Sequence, residues 1–159
     1  MDPQTALANA AEAIKSRSYS LGTAESCTGG GIGALVTSLA GSSEFFIGGI
    51  IAYSNRIKHD VLGVPDDLLE TCGAVSSECA RAMAEGAANL LHADVTVAVT
   101  GIAGPGGGSS EKPVGLVYIA ARSPHRTIVR KFLFTGNRRD VREATQLSAL
   151  ELICELFEE

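Results

Sequence analysis

Residues 94–100 have the sequence DVTVAVT, and this stretch decides the fold class. Its valines alternate with small residues, a pattern that is typical of a strand buried in a sheet. Residues 101–112 follow at once and are too rich in Gly, Ser and Pro to form regular structure. In open α/β sheets, ligands bind at the carboxyl ends of strands. The junction of Thr100 and Gly101 is therefore a candidate binding position.

Helices and strands alternate around this strand. Apolar periodicity and capping residues predict five helices: 3–17, 32–40, 55–62, from Ser76 or Ser77 to about 92, and about 138–157. Apolar and β-branched runs predict strands at 19–25 and 45–53, and a later hairpin of 114–121 and 127–134. Early alternation and a late hairpin predict a three-layer α/β/α fold with a mixed sheet, as a single domain over residues 1–159.

The composition excludes several classes of protein. With 159 residues, 45% hydrophobic and 19% charged, the chain is globular rather than disordered. Its net charge of −5 argues against nucleic acid as a partner, because nucleic-acid binders carry a basic excess. No apolar run approaches the ~20 residues of a membrane span, and the polar N-terminus is unlike a signal peptide. We therefore expect a cytoplasmic protein without a membrane partner, and no ligand spacing predicts a metal.

Ser26 and Cys27 place a hydroxyl and a thiol at the end of a predicted strand, and residues 29–31 are glycines that open a helix. The N–H groups at a helix start favour negative charge. They suit a bound phosphate, and equally the oxyanion of an acyl-transfer intermediate beside a nucleophile. A plain helix start with Ser or Thr caps explains the same residues. The segment is neither a Walker loop nor a Gly-x-Ser-x-Gly elbow.

Two further positions carry candidate chemistry. Thr100 and Gly101 begin a Gly-rich loop that either fits closely around a ligand or is a flexible connector. Lys58 lies five residues after Tyr53, which ends a predicted strand. It is either a solvated lysine or a base whose pKa is lowered by burial or by a neighbouring cation such as Arg56.

Arg138, Arg139 and Arg142 lie at the start of the last predicted helix, where the helix dipole disfavours cations. Two explanations fit this cluster. The arginines form a solvated face that is balanced by Asp140 and Glu143, or their planar forks bind an anion such as a carboxylate or phosphate.

Six blocks in this order cover nearly the whole chain. They are AESCTGG at 24–30, YSN at 53–55 with Lys58, GAVS at 73–76, TGIAGPGG at 100–107, KPVG at 112–115, and Gly136 with Arg138, Val141 and Arg142. The set resembles the CinA C-terminal domain family, and it is highly specific although each block alone is weak.

The resemblance implies a nicotinamide-nucleotide amidase. Such enzymes deamidate nicotinamide mononucleotide to nicotinic acid mononucleotide and ammonia in pyridine nucleotide salvage. The family is understood as serine amidases with a Ser–Lys pair, without metal or cofactor. Longer members carry a further domain, so this chain resembles the stand-alone form, and the resemblance implies a homo-oligomer.

The resemblance assigns roles to matching positions. Ser26 is the nucleophile, Lys58 is its base, and Tyr53 supports the pair. The substrate-binding positions are Cys27, Thr28, Gly29, Gly30, Asn55, Thr100, Gly101, Arg138 and Arg142. Backbone N–H groups near Cys27 to Gly30 hold the oxyanion, and the two arginines hold the phosphate. Asn137 is a departure, because the family usually has Asp there.

Two alternatives stay open. Cys27 is a rival nucleophile, because a thiolate at a helix start is activated. The glycine loops and arginines would also suit a non-catalytic nucleotide-binding module with a regulatory role linked to competence or DNA damage. Lys58 discriminates between enzyme and module, since mere binding needs no lysine that is deprotonated near neutral pH. Phe45 and Phe46 fit either the core or an interface.

Overall fold

The computed structural model describes residues 1–158, and its centre is one mixed five-stranded sheet. The strands are β1 (Leu21–Glu25), β2 (Phe46–Ile51), β3 (Val95–Gly101), β4 (Leu116–Arg122) and β5 (Thr127–Leu133). Their order is β2-β1-β3-β4-β5, in which β1 pairs parallel with β2 and β3, and the β4–β5 hairpin is antiparallel. The predicted mixed sheet and late hairpin are confirmed.

Six helices surround the sheet: α1 (Pro3–Lys15), α2 (Gly31–Thr37), α3 (Asn55–Asp60), α4 (Asp66–Thr71), α5 (Ser77–Leu91) and α6 (Arg138–Glu155). Their starts follow the predicted capping chemistry. Asp2 accepts the Thr5 N–H at 3.0 Å to cap α1, and Ser76 accepts the Cys79 N–H at 3.1 Å to cap α5. Helix α4 was not predicted, because six residues without a side-chain cap are too short to show a helical period.

The alternation in residues 94–100 explains the layers. Val95, Val97 and Val99 point to one face of β3 and pack in a core with α1, α2 and α6. Ala98 points to the opposite face and packs against α5, where small residues on both sides allow close approach. The sheet is therefore covered by helices on both faces, and the three-layer α/β/α architecture is confirmed.

Several element boundaries differ from the sequence prediction: β2 ends at Ile51 rather than residue 53, and α2 ends at Thr37 rather than residue 40. Strand β1 begins at Leu21 rather than residue 19, because Ser18 has a positive φ of 56° and the Ser20 N–H donates to the Asp94 carboxylate at 2.9 Å. Phe45 is buried and Phe46 packs partly buried against the same core, so the pair belongs to the interior. In residues 1–158, every helix is too short or too polar to cross a membrane.

Candidate active site

Three parallel strands bring the candidate residues to one edge of the sheet. Ser26 directly follows β1, Tyr53 lies two residues beyond β2, and Thr100 is the penultimate residue of β3. Main-chain bonds extend the pairing past the strand ends: the Ser26 N–H donates to Val99 O at 3.1 Å. The carboxyl ends of parallel strands meet at the same edge, so residues far apart in sequence share one site.

Lys58 projects into this edge from α3, whose start is capped by Ser54. Its Nζ lies 2.9 Å from Ser26 Oγ and 2.8 Å from the main-chain oxygen of Tyr53. The side chain is 2% exposed, and it forms no ion pair with the described residues. Desolvation by burial lowers the pKa of Lys58 from its ordinary value of 10.5.

Arg56 does not supply the charge that would lower this pKa. It is exposed and pairs with Asp60 on the same helix at 3.6 Å. Of the two causes considered from the sequence, burial is the one the structure supports for Lys58.

Tyr53 contacts Lys58 through its backbone rather than its phenol. The side chain is 62% exposed, and its hydroxyl lies 3.5 Å from Arg138 Nη2. The group that contacts Lys58 Nζ is the Tyr53 carbonyl oxygen, which any residue type would provide.

Ser26 and Lys58 line a cavity of about 250 Å³. The other lining residues are Cys27, Tyr53, Asn55, Ala74, Val75, Thr100, Gly101, Ala103 and Arg138. A second cavity of about 510 Å³ adjoins it and shares Ala103 and Arg138. A larger cavity of about 900 Å³ lies elsewhere, along α5, but neither lysine nor histidine is among its lining residues. The Ser26–Lys58 pair therefore lies in the cavity of about 250 Å³ and not in the larger one along α5.

Ala74 and Val75 were not identified from the sequence as cavity residues. Thr100 explains their position: its hydroxyl donates to Ala74 O at 2.8 Å and so ties the loop before α5 to the end of β3. Gly101 is needed because β4 passes close by; a Cβ there would lie 2.8 Å from Leu116 O.

Glu25 occupies the start of α2 and changes the interpretation of the glycine segment. Its buried carboxylate accepts the Ile32 N–H at 2.8 Å, the Gly33 N–H at 3.0 Å and the Thr28 hydroxyl. The Ile32 and Gly33 N–H groups are therefore not free to bind a phosphate, because a protein carboxylate already accepts from them. The Thr28 side chain is buried against Glu25 and does not line the cavity. An acidic residue just before a glycine-rich helix start was the missed signal.

Gly29 and Gly30 shape the loop rather than line the cavity. Their φ angles are +59° and +101°, values that favour glycine. The Gly29 N–H donates to Ser26 O at 3.1 Å, and the Gly31 N–H donates to Thr28 O at 3.0 Å. The N–H of Cys27, the residue after Ser26, donates to no main-chain oxygen of residues 1–158.

Cys27 does not have the properties of an activated thiol. It is buried, and desolvation, together with the Glu25 charge, raises its pKa to about 11. A helix start lowers the pKa of a thiol only when its dipole is unopposed. These properties argue against Cys27 as the nucleophile, because a raised pKa favours the protonated thiol at neutral pH.

The arginines at the start of α6 divide into three roles. Arg138 lines the cavity, and its Nη1 donates to Gly104 O at 2.8 Å. Arg142 does not line the cavity: its Nε donates to Cys27 O at 3.2 Å and its Nη2 to Thr28 O at 3.0 Å. Arg139 is exposed and pairs with Glu143 at 2.8 Å. Of the three, Arg138 lines both cavities, Arg139 lines only the adjoining one, and Arg142 lines neither.

Asn137, the departure from the family pattern, caps α6. Its side chain accepts the Asp140 N–H at 2.9 Å, and the Asp140 carboxylate accepts the Asn137 N–H at 2.9 Å. This capping box keeps the start of α6 in place without an acidic residue at position 137. Within residues 1–158, no three His, Cys, Asp or Glu side chains group as metal ligands.

Comparisons with known proteins agree on one family. The family model described as the CinA C-terminal domain matches residues 4–157. A CinA-like protein of Desulfotalea psychrophila is 49% identical over 142 residues, covering 89% of this chain and 34% of the relative. A CinA-like protein of Synechococcus is 60% identical over 111 residues, covering 70% of this chain and 27% of the relative. This chain thus spans about a third of the length of these curated relatives.

Solved structures match over almost their whole length. The competence/damage inducible protein CihA of Agrobacterium tumefaciens superposes with a TM-score of 0.91 at 41% identity, covering 96% of each chain. A competence or damage-inducible protein of Enterobacter asburiae gives a TM-score of 0.95 at 29% identity, covering 99% of each chain. The match in sequence blocks, sheet and helices has one explanation: this chain belongs to the CinA C-terminal domain family.

Proposed function

We propose that this protein is a serine amidase that deamidates nicotinamide mononucleotide to nicotinic acid mononucleotide and ammonia. One observation carries the proposal: Lys58 Nζ lies 2.9 Å from Ser26 Oγ, inside a cavity. A buried lysine with a lowered pKa beside a hydroxyl is an arrangement that activates a nucleophile.

The Ser26–Lys58 pair can carry out both halves of an acyl transfer. Neutral Lys58 takes the Ser26 proton as Oγ attacks the carboxamide carbon. Lys58 then returns that proton to the leaving nitrogen, the C–N bond breaks, and ammonia departs from an ester on Ser26. Water attacks the ester, and Lys58 takes a proton from it and gives it to Ser26 Oγ. The carboxylic acid product leaves with serine and lysine restored.

The Tyr53 carbonyl prepares Lys58 for this role. It accepts one Nζ–H at 2.8 Å, which leaves the lone pair of a neutral amine available to Ser26. The oxyanion needs a donor near Ser26, and the Cys27 N–H is a main-chain group at the right position in the sequence. Such a donor stabilises the transition state by roughly 2.7–4 kcal/mol.

The two joined cavities suit a substrate with an amide at one end and an anion at the other. The cavity with Ser26 would take the carboxamide ring, and the adjoining one would take the ribose phosphate past Arg138. A phosphate held at a distance positions the amide and contributes to the rate rather than to binding alone. Free nicotinamide should then be a poor substrate.

The test is ammonia release from nicotinamide mononucleotide by the wild type, Ser26→Ala and Lys58→Ala, with chelator present. Arg130→Ala is the matched control, because Arg130 lies on β5, pairs with Glu155 and lines neither of the two joined cavities. We expect wild type and control to release ammonia, and both site variants to fail while remaining folded. Comparable rates on free nicotinamide would contradict the substrate assignment.

A wild-type protein that releases no ammonia but still binds the nucleotide would contradict the amidase proposal. That outcome would favour the alternative, a nucleotide-binding module with a regulatory role. The alternative fits the competence/damage inducible names of the Agrobacterium and Enterobacter relatives. The buried Lys58 favours the amidase, because burying an amine without a carboxylate partner is unfavourable and binding does not need it.

A further inference from the structure

Arg142 reaches from α6 to the loop that follows the nucleophile. Its guanidinium donates to two successive main-chain oxygens, Cys27 O at 3.2 Å and Thr28 O at 3.0 Å. A planar fork holds two adjacent acceptors in fixed geometry, which a lysine ammonium does not. Because Arg142 is outside the set of cavity-lining residues, its contacts are with the loop and not with the cavity.

The contacts of Arg142 fix the direction of nearby N–H groups. In a trans peptide the C=O and the following N–H point in opposite directions. Holding Thr28 O towards Arg142 therefore turns the Gly29 N–H away from it, to Ser26 O at 3.1 Å. That bond in turn holds the Ser26 carbonyl within the turn, so the Cys27 N–H points out of it. Cys27 lines the cavity.

The opposite side of the loop is held by Glu25. Its carboxylate accepts the Thr28 hydroxyl and the Ile32 and Gly33 N–H groups. A buried anion on one side and a cation on the other prevent the peptides from rotating. The glycine at position 29, with φ of +59°, is the flexible point that these contacts restrain.

We infer that Arg142 is a positioning residue that orients the Cys27 N–H towards the oxyanion, and not a ligand of the substrate phosphate. This inference deepens the proposed amidase function and rests on it. Without the clamp, Cys27 O and Thr28 O lose the guanidinium that holds them, and the Cys27 N–H is less well preorganised for the transition state.

The experiment compares two substrates that differ only in the phosphate: nicotinamide mononucleotide and nicotinamide riboside. We expect Arg142→Ala to lower kcat on both substrates by the same factor, roughly 10²–10³, with little change in KM. Arg142→Lys should recover part of the loss, and Arg130→Ala, which lies outside both cavities, should behave as wild type. A rise in KM on the mononucleotide alone, with the riboside unaffected, would show that Arg142 binds phosphate and would overturn the inference.

A second measurement keeps the inference testable if the amidase proposal fails. The Ser26 acylation rate with p-nitrophenyl acetate depends on the same oxyanion donor, and the p-nitrophenol burst reports it. A wild-type protein that shows the burst but releases no ammonia would contradict the proposed substrate and leave the acylation of Ser26 standing. Equal burst rates in wild type and Arg142→Ala, or no wild-type burst, would overturn the Arg142 role. Should Arg142→Ala not fold, Arg142→Lys and Arg142→Gln are compared in its place.

Discussion

Lys58 Nζ lies 2.9 Å from Ser26 Oγ, although the two residues are 32 positions apart and both are buried. The packing of α3 against the end of the sheet creates this contact, and the partners of the amine are a hydroxyl and a main-chain carbonyl. Burial without a carboxylate favours the neutral amine over the ammonium. Two predictions about pH depend directly on this relationship.

The first concerns activity. Only neutral Lys58 accepts the Ser26 proton, so kcat/KM for ammonia release should rise with pH as Lys58 deprotonates. The midpoint should lie below 10.5, the ordinary value for lysine, because burial lowers the pKa. The pH profile of Arg56→Ala should coincide with that of wild type, because Arg56 pairs with Asp60 and is exposed. A kcat/KM that is independent of pH, or a midpoint at an ordinary lysine pKa, would contradict the role of Lys58 as the base.

The second concerns stability. Between the lowered pKa of Lys58 and 10.5, the unfolded chain keeps a proton that the folded protein has lost. The contribution of Lys58 to the free energy of unfolding therefore rises with pH across that window, and it is lowest below the window. Lys58→Met lacks the titrating group, so its stability relative to wild type should fall as pH rises. Denaturant unfolding at several pH values measures this, and parallel curves for the two proteins would disprove it.

Cys27 supplies a prediction about thiol chemistry. With its pKa raised to about 11, Cys27 should react slowly with iodoacetamide near neutral pH. Cys27→Ala should keep ammonia release within roughly tenfold of wild type, because only its main-chain N–H is assigned a role. Cys72, whose thiol is half-buried rather than buried, serves as the internal control for alkylation. Rapid loss of activity on alkylation, abolished in Cys27→Ala, would favour the thiol as nucleophile instead.

A substitution at Tyr53 tests whether its side chain or its main-chain carbonyl contributes to catalysis. Tyr53→Phe removes the exposed phenol but keeps the carbonyl that accepts from Lys58. We expect kcat to stay within about threefold of wild type, measured as ammonia release. A loss of a hundredfold or more would show that the phenol takes part in catalysis, in addition to its 3.5 Å contact with Arg138.

The layers of the fold could be predicted because the order of helices and strands along the chain indicates which elements cover the sheet. The early alternation of helices and strands, with a hairpin after it, predicted helices on both faces of a mixed sheet, and Ser76 marked the start of α5. Helix α4 could not be predicted, because its six residues are held by tertiary packing rather than by a capping residue.

The site was predictable only in part, for a different reason. Ser26 and Lys58 belong to sequence blocks, so their pairing was expected from the resemblance. Which atoms of Tyr53 and Arg142 act depends on where the main-chain carbonyls point, and every residue carries such a carbonyl. The resemblance therefore assigned Tyr53 to the support of the pair and Arg142 to the phosphate without naming the atoms; in the structure, Tyr53 contacts Lys58 through its carbonyl, and Arg142 contacts main-chain oxygens of the loop.

Asn137 allows a test of its capping role. Asn137→Ala removes the acceptor for the Asp140 N–H and should lower the unfolding free energy by about 1 kcal/mol. A protein of this length would then melt roughly 2–4 °C lower in a calorimetric scan. Asn137→Asp keeps an acceptor at the cap and should melt with wild type. Equal melting temperatures for wild type and Asn137→Ala would show that the cap contributes nothing.

Gly101 should not tolerate a side chain, because β4 lies against it. A Cβ would stand 2.8 Å from Leu116 O and 3.0 Å from Val117 Cα, both main-chain atoms that move only with the strand. Gly101→Ala should therefore lose roughly 1–3 kcal/mol of unfolding free energy and shift the cavity wall beside Ser26, which lowers ammonia release. Gly106→Ala is the matched control, since a Cβ there meets nothing within 4 Å. The control should keep wild-type stability, or gain up to about 1 kcal/mol because alanine restricts the unfolded chain. If both variants unfold at the same denaturant concentration as wild type, β4 yields to the methyl group, and the close approach of the strands does not require glycine at position 101.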